Sequence, residues 1–294
     1  MDARGRATRD ALAAIALWST LAAIVTRLRQ VPPLFLVGST LVVGGLLGVR
    51  RLRREDLRPR VLAVGVFGLF AYHLCLFVGL RLGPPVEVNL VNYLWPLLVV
   101  VLTPIFVPGA RLGARHVVGA LLGFAGAALL VTGGRLGIAP GGVLGHLAAL
   151  AGALIWATYT HLTKRLGDVP TRAVSAFCLA SGALALGCHA AFEPRYWPNW
   201  ADSVLLIGAG VGPMGAAFYL WDRAIKAGDP RVIGTLAYLT PLASTALVAL
   251  ASGGGLGASA LAAMALIVGG AAMSARAPRE PVGVERAADA PGIE

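Results

Sequence analysis

Ten apolar stretches, each of roughly 17–22 residues and parted by short arginine-bearing connections, run through this chain from end to end. They fall at about 10–28, 33–50, 60–81, 86–107, 114–132, 142–163, 172–191, 203–224, 231–250 and 257–275. A helix of that length crosses a hydrocarbon layer ~30 Å thick. Inside hydrocarbon the backbone must bond to itself, which leaves helices as the natural form for such runs. With 57% hydrophobic residues, 13% charged residues and a mean hydropathy of +0.76, a soluble domain would have no core large enough to hide the apolar surface. The expected fold is an all-α integral membrane protein of ten transmembrane helices. Pairs of glycines four apart, Gly44/Gly48, Gly119/Gly123 and Gly208/Gly212, are expected where helices approach closely.

The formal net charge of +11 sits at the ends of the apolar runs and lines no groove, so nucleic acid is not an expected partner. With the N-terminus in the cytoplasm, 20 of the 25 Lys and Arg residues fall on the cytoplasmic side, and both termini lie there. Tyr196, Trp197 and Trp200 then lie at the outer interface, where amphipathic rings anchor. The first run follows Arg4, Arg6 and Arg9 as a signal peptide would, yet no soluble domain comes after it. Cys75, Cys178 and Cys188 are scattered within apolar runs and suggest neither a disulfide framework nor a metal site; no cofactor is expected. The connections leave no room for an extramembrane domain, and the tail 277–294, rich in Pro, Ala and charge, is expected to be disordered.

The chain repeats itself. Trp18-Ser19-Thr20 answers Trp156-Ala157-Thr158, and Arg27-Leu28 answers Arg165-Leu166. Arg81-Leu82-Gly83-Pro84-Pro85 answers Lys226-Ala227-Gly228-Asp229-Pro230. Tyr93-Leu94-Trp95-Pro96-Leu97 answers Tyr238-Leu239-Thr240-Pro241-Leu242, and Gly126-Ala127-Ala128 answers Gly270-Ala271-Ala272. The matches keep chain order at near-constant spacing. Residues 1–137 and 138–276 therefore read as two five-helix repeats, and an odd number of helices per repeat inverts the second. Inverted repeats support alternating access in many transporters.

Pro96 and Pro241 fall near the middles of the fourth and ninth runs. A mid-helix proline lacks the N–H that would bond four residues back, here the carbonyls of Asn92 and Ala237. Paired breaks at membrane depth point to a binding site between the halves. On a straight helix, Asn89, Asn92, Tyr93, Pro96 and Thr103 would form one polar stripe, and Thr235, Tyr238 and Thr245 another around Pro241. Trp156 and Tyr159 share a face of the sixth run, and Tyr72 and His73 lie near the middle of the third. Polar groups at that depth face the bundle interior. The lining is aromatic and hydrogen-bonding with no fixed charge apart from a titratable His73, which suits an amphipathic zwitterion with an apolar or aromatic side chain and suits a phosphate poorly. His73 can relay protons or bond a carbonyl or a cargo carboxylate; the residues allow both. No metal-spaced cluster, nucleophile elbow or phosphate loop suggests an enzyme.

These features resemble the drug/metabolite transporter superfamily with two EamA-type repeats. The stretch Asn-Leu-Val-Asn-Tyr-Leu-Trp-Pro-Leu over 89–97, with Tyr72-His73 upstream and Trp156 later, is similar to the YddG-type exporters of aromatic and neutral amino acids. That resemblance implies a monomeric exporter in a bacterial inner membrane, with a central cavity among Tyr72, His73, Tyr93, Trp95 and Trp156. Trp95 departs from the polar stripe, lying beside it. Facilitated efflux and proton-driven exchange are both compatible with the resemblance, as is another small metabolite or a drug-like cation as cargo.

Overall fold

The computed structural model describes residues 3–134, 142–165, 169–251 and 258–277; Arg135, the boundary at 137/138 and all of the tail but Ala277 lie outside them. Every regular element among the described residues is helical. In chain order they are α1 (Ala3–Arg27), α2 (Pro33–Leu46), α3 (Pro59–Val66), α4 (Tyr72–Leu82), α5 (Pro85–Asn92), α6 (Trp95–Phe106) and α7 (Ala114–Thr132). Next come α8 (Val143–Arg165), α9 (Val174–Phe192), α10 (Trp200–Val211), α11 (Ala217–Ala227), α12 (Pro230–Leu236), α13 (Leu239–Ala251) and α14 (Ala258–Ala275). Prolines open α2, α3, α5 and α12, where a missing N–H costs nothing.

Among the described residues, eight helical runs are long and apolar enough to cross a membrane: Arg4–Arg27, Pro59–Leu82, Pro85–Phe106, Ala114–Thr132, Val143–Arg165, Thr171–Phe192, Trp200–Ala227 and Ala258–Ala275. Pro33–Leu46 is apolar but shorter, because the run expected to reach residue 50 ends in a tight turn at Val49–Arg51. Large side chains such as Ile105, Leu121, Leu144, Phe192 and Val268 are exposed around the outside, the pattern of a surface solvated by lipid. The protein is a multi-pass membrane protein.

Two of the long runs contain a wide, π-helical turn. Phe67–Ala71 joins α3 to α4, and Gly212–Ala216 joins α10 to α11. Pro213 explains the second, since its ring cannot continue the α-helical bonding. In the first, Gly68 leaves room for the Tyr159 ring; a Cβ there would lie 2.0 Å from that ring. Two other runs are broken, α5 from α6 at Tyr93-Leu94 and α12 from α13 at Ala237-Tyr238.

Helices pack in pairs: α2 on α9, α7 on α14, α4 on α8, α1 on α11, α6 on α8 and α1 on α13. Small residues set the closest of these. A Cβ on Gly119 would meet the Gly270 carbonyl at 2.6 Å, and a Cβ on Gly270 the Gly119 carbonyl at 2.4 Å, so these backbones touch. Gly44 and Gly48 likewise lie against Gly215 and Tyr219. The Gly208/Gly212 pair does not behave as expected: nothing lies within 4 Å of a Cβ on Gly208, and only Leu17, at 3.7 Å, is near Gly212. Spacing marks a candidate face, and only the neighbour decides whether it is used.

These distances separate two alanine substitutions. Gly270→Ala should cost about 1–3 kcal/mol, because the added methyl overpacks a backbone contact. Gly208→Ala should be neutral or stabilising by up to ~1 kcal/mol, since alanine favours a helix interior. Thermal unfolding of the purified variants in detergent reads both, and equal midpoints would contradict the packing described.

Candidate functional site

The aromatic residues gather where α1, α4, α6, α8 and α11 meet. Trp18 stands at the hub. Its ring centroid lies 5.2 Å from Trp221, 5.9 Å from Trp156, 6.1 Å from Phe218 and 6.2 Å from Trp95. Trp95 also meets Trp156 at 6.1 Å and Trp221 at 5.5 Å, mostly edge to face, the favoured arrangement for aromatic quadrupoles. Tyr72 and Tyr159 flank Trp156 at 5.2 and 5.4 Å, and Tyr159 continues outward to Phe177. None of the side chains in these ring contacts carries a fixed charge.

Polar groups edge the cluster. Asn92 donates from Nδ2 to the Tyr72 hydroxyl at 3.3 Å, while its Oδ1 is buried with no hydrogen-bond partner among the described residues. The same holds for Trp156 Nε1–H. A buried acceptor and a buried donor, left unpaired on two residues that both contact Tyr72, call for an explanation, and a bound polar molecule supplies one. His73 lies against Tyr72, with ring centroids 4.9 Å apart, and its Nδ1 is 2.6 Å from the Leu69 carbonyl. A carbonyl only accepts, so Nδ1 carries the proton and Nε2 is the remaining acceptor. The wide turn at 67–71 positions both residues: Tyr72 N–H and His73 Nδ1–H converge on that one carbonyl.

Of the expected site residues, Tyr72, His73, Asn92, Trp95, Trp156 and Tyr159 come together here. Trp95 lies at the centre because the run is not one straight helix. The break at Tyr93-Leu94 turns α6 relative to α5, which ends the polar stripe drawn across 89–103. Asn89 is half-buried a turn back on α5, Tyr93 is half-buried at the break, and Pro96 is buried at the start of α6. Tyr238 and Pro241 lie apart from the rings. Tyr238 is fully buried with Ala127, Ile267 and Phe124, between α7 and α14. Of its stripe partners, Thr235 bonds Ser274 and Thr245 bonds the carbonyl of Pro241.

The Tyr238 hydroxyl spans the break in the other half. It donates to the Tyr93 carbonyl at 3.2 Å and accepts from Leu97 N–H at 3.1 Å. Those two backbone groups would have bonded one another in an unbroken helix, so the phenol is inserted into the opened turn. At the second break Ser19 Oγ, bonded to the Ile15 carbonyl, lies 3.2 Å from the Thr240 carbonyl.

Trp18, Phe218 and Trp221 were missed from the sequence as site residues. Trp18 could have been found, since it occupies the repeat position of Trp156. Phe218 could have been found the same way, since it occupies the repeat position of His73, whereas Trp221 has no such signal, because the first repeat carries Leu76 in its place. Two cavities, of about 560 and 400 Å³, lie elsewhere, toward the ends of the helices. The larger is lined by Arg4, Thr103, Lys164, Asp229 and Arg231, and no expected site residue lines either. Burial pushes the Asp229 carboxyl up, but hydrogen bonds and charge from Arg231 outweigh it and hold the group below the usual range.

An all-helical membrane bundle with broken helices around an aromatic, uncharged centre defines a protein of the transporter class. The family model for EamA-like transporters matches residues 11–132 and again 143–276, and the chain belongs to that family. It is 43% identical over 280 residues to a protein of Ancylobacter novellus named aromatic amino acid exporter YddG, covering 92% of this chain and 97% of that one. Proteins of the same name from Salmonella typhimurium and Escherichia coli are 29% and 27% identical, across 83% and 84% of this chain and 88% and 89% of theirs. A solved crystal structure superposes with a TM-score of 0.86 at 42% identity, covering 92% of this chain and 98% of that one.

Tyr238→Phe removes one hydroxyl and leaves the Tyr93 carbonyl and Leu97 N–H unpaired in a buried break. The expected cost is about 1–3 kcal/mol. It should be read as a lower thermal midpoint in detergent; an unchanged midpoint would mean that the bridge contributes nothing.

Proposed function

We propose that this chain exports aromatic and other neutral amino acids across a bacterial inner membrane by alternating access. The observation that carries the reading is the ring cluster around Trp18, edged by the unpaired Asn92 Oδ1 and Trp156 Nε1. Aromatic faces hold an apolar side chain, a free N–H suits a carboxylate, and a free carbonyl-type oxygen suits an ammonium. The names of the relatives that match along nearly the whole chain support the same cargo.

The site comprises Tyr72, His73, Asn92, Tyr93, Trp95, Trp156 and Tyr159 from the sequence, with Trp18 added. Asn89 and Pro96 serve it from α5 and α6. Tyr238 and Pro241 act indirectly, by shaping the breaks. The close ring contacts correspond to a state with the centre collapsed on itself, and cargo occupies it when the halves rock apart.

The halves are residues 1–137 and 138–276, five helices each and inverted. Several features support this. The wide turns at 67–71 and 212–216 and the breaks after Asn92 and Leu236 recur at spacings that agree within one residue. Contacts recur under the same exchange: α4 on α8 matches α11 on α1, and α6 on α8 matches α13 on α1. Adding α2 and the broken run α12–α13 to the eight long runs makes ten crossings, with both termini in the cytoplasm. The transporter works as a monomer.

Orientation is tested by single cysteines in a cysteine-free background. A thiol in the 51–58 connection should resist an impermeant reagent added outside spheroplasts, and its labelling there would reverse the topology. Cargo and site are tested in proteoliposomes with a panel of radiolabelled solutes, scored per folded molecule. Aromatic and large apolar amino acids should compete best, and equal transport of sugar phosphates or dicarboxylates would refute the cargo. Trp156→Ala and Tyr93→Ala should each weaken apparent affinity roughly tenfold, the loss of on the order of 1–2 kcal/mol. Unchanged affinity in both variants would move the site elsewhere.

A further inference from the structure

Beyond its part in orienting the chain, the connection between α2 and α3 concentrates more positive charge than its own acids can balance. Arg50, Arg51, Arg53, Arg54, Arg58 and Arg60 lie within eleven residues, and all six are exposed. None forms an ion pair with a carboxylate among the described residues. The connection holds two acidic residues that could neutralise them, Glu55 and Asp56. Both are taken from outside it: Arg172, from the turn before α9, donates Nε–H to Asp56 at 2.8 Å and an NH2 group to Glu55. Asp56 also accepts the backbone N–H of Arg53 at 2.9 Å, which fixes a short turn over Arg54–Leu57. The result is an ordered loop whose own acids face Arg172 and whose six guanidinium groups face outward.

Apolar side chains adjoin the charge. Leu46 and Leu47 at the end of α2, Val49, and Leu57 within the loop are all exposed; Leu46 is 54% and Leu57 50% accessible. In water such a mixture would be costly, whereas at a bilayer surface the leucines can enter the acyl region while guanidinium groups stay at the depth of the phosphates. Arginine suits that position, since its planar fork bonds two phosphate oxygens at once.

We propose that residues 46–60 form a binding surface for the phosphate headgroups of anionic phospholipids on the membrane face where the loop lies. This rests on the membrane-spanning fold and is independent of cargo and of which face is cytoplasmic. Each arginine at the surface contributes comparably, so removing three of the six should weaken retention on the order of a hundredfold.

The test uses the full chain purified with an equimolar mixture of phosphatidylglycerol and phosphatidylcholine, with bound lipid counted by native mass spectrometry. The unmodified protein should retain phosphatidylglycerol in preference. R50Q/R51Q/R54Q should lose that preference, while R4Q/R6Q/R9Q, which removes equal charge from the N-terminus, should keep it. Raising ionic strength from about 0.1 M to about 1 M should weaken retention, as the screening length falls from ~10 Å to ~3 Å. Preference that survives in R50Q/R51Q/R54Q, or that falls equally in R4Q/R6Q/R9Q, would overturn the proposal. So would displacement by soluble glycerol phosphate, which would make the occupant a free anion. Should the triple variant not fold, the unmodified protein still decides: its thermal midpoint should be higher in nanodiscs containing phosphatidylglycerol than in phosphatidylcholine alone, and equal midpoints would refute the surface.

Discussion

A backbone N–H or C=O that loses its partner in hydrocarbon has no water to turn to, and each such loss costs several kcal/mol. The break between α5 and α6 is possible because the Tyr238 hydroxyl enters it, giving to the Tyr93 carbonyl and taking from Leu97 N–H. The centre of the molecule depends on that insertion. Trp95 opens α6 directly after the break and meets Trp18, Trp156 and Trp221 there. Tyr238 comes from the second half of the chain and Tyr93 from the first, so the bond ties the two together.

The wide turns do for α4 and α11 what the breaks do for α6 and α13. An extra residue in a helical turn rotates the remainder of the helix. That remainder carries Tyr72-His73 in one half and Phe218 with Trp221 in the other. Both turns aim aromatic residues at one point. Where the second has Pro213, the first has the contact of Gly68 with Tyr159, so two different local causes give the same geometry.

Toward their ends the helices are held by charge. Lys164 Nζ donates to the carbonyls of Ile225 and Gly228, both at 2.8 Å, closing the end of α11 with a cation as its dipole favours. Arg231 joins the Asp229 carboxylate to the carbonyl of Arg111. At another end, the Glu193 carboxylate accepts the N–H groups of Leu34 and Phe35 at the start of α2. These part-buried bonds use full charges on backbone groups, the reverse of the middle, where the partners are neutral.

Sequence by itself determined the membrane class, the helices and the doubling. Each rests on local chemistry: run length against bilayer thickness, arginine at the ends of spans, prolines and tyrosines recurring at a fixed spacing. It also marked the breaks, which end two residues before Pro96 and three before Pro241, because a proline without an N–H opens the turn that precedes it. Most of the candidate site was legible from polar and aromatic residues at membrane depth, Trp95 through the family resemblance alone, and Trp18 could have been added from its repeat partner Trp156. Tertiary structure decided the rest. Tyr93 and Tyr238 are equivalent in sequence, yet one is half-buried at the broken turn and the other bridges it. Gly208/Gly212 has the same spacing as Gly119/Gly123, but no backbone comes up against either glycine's Cβ position. Which ring reaches the centre depends on how far a broken or widened turn rotates the segment after it, and that angle is set by the side chain that fills the gap from elsewhere in the chain.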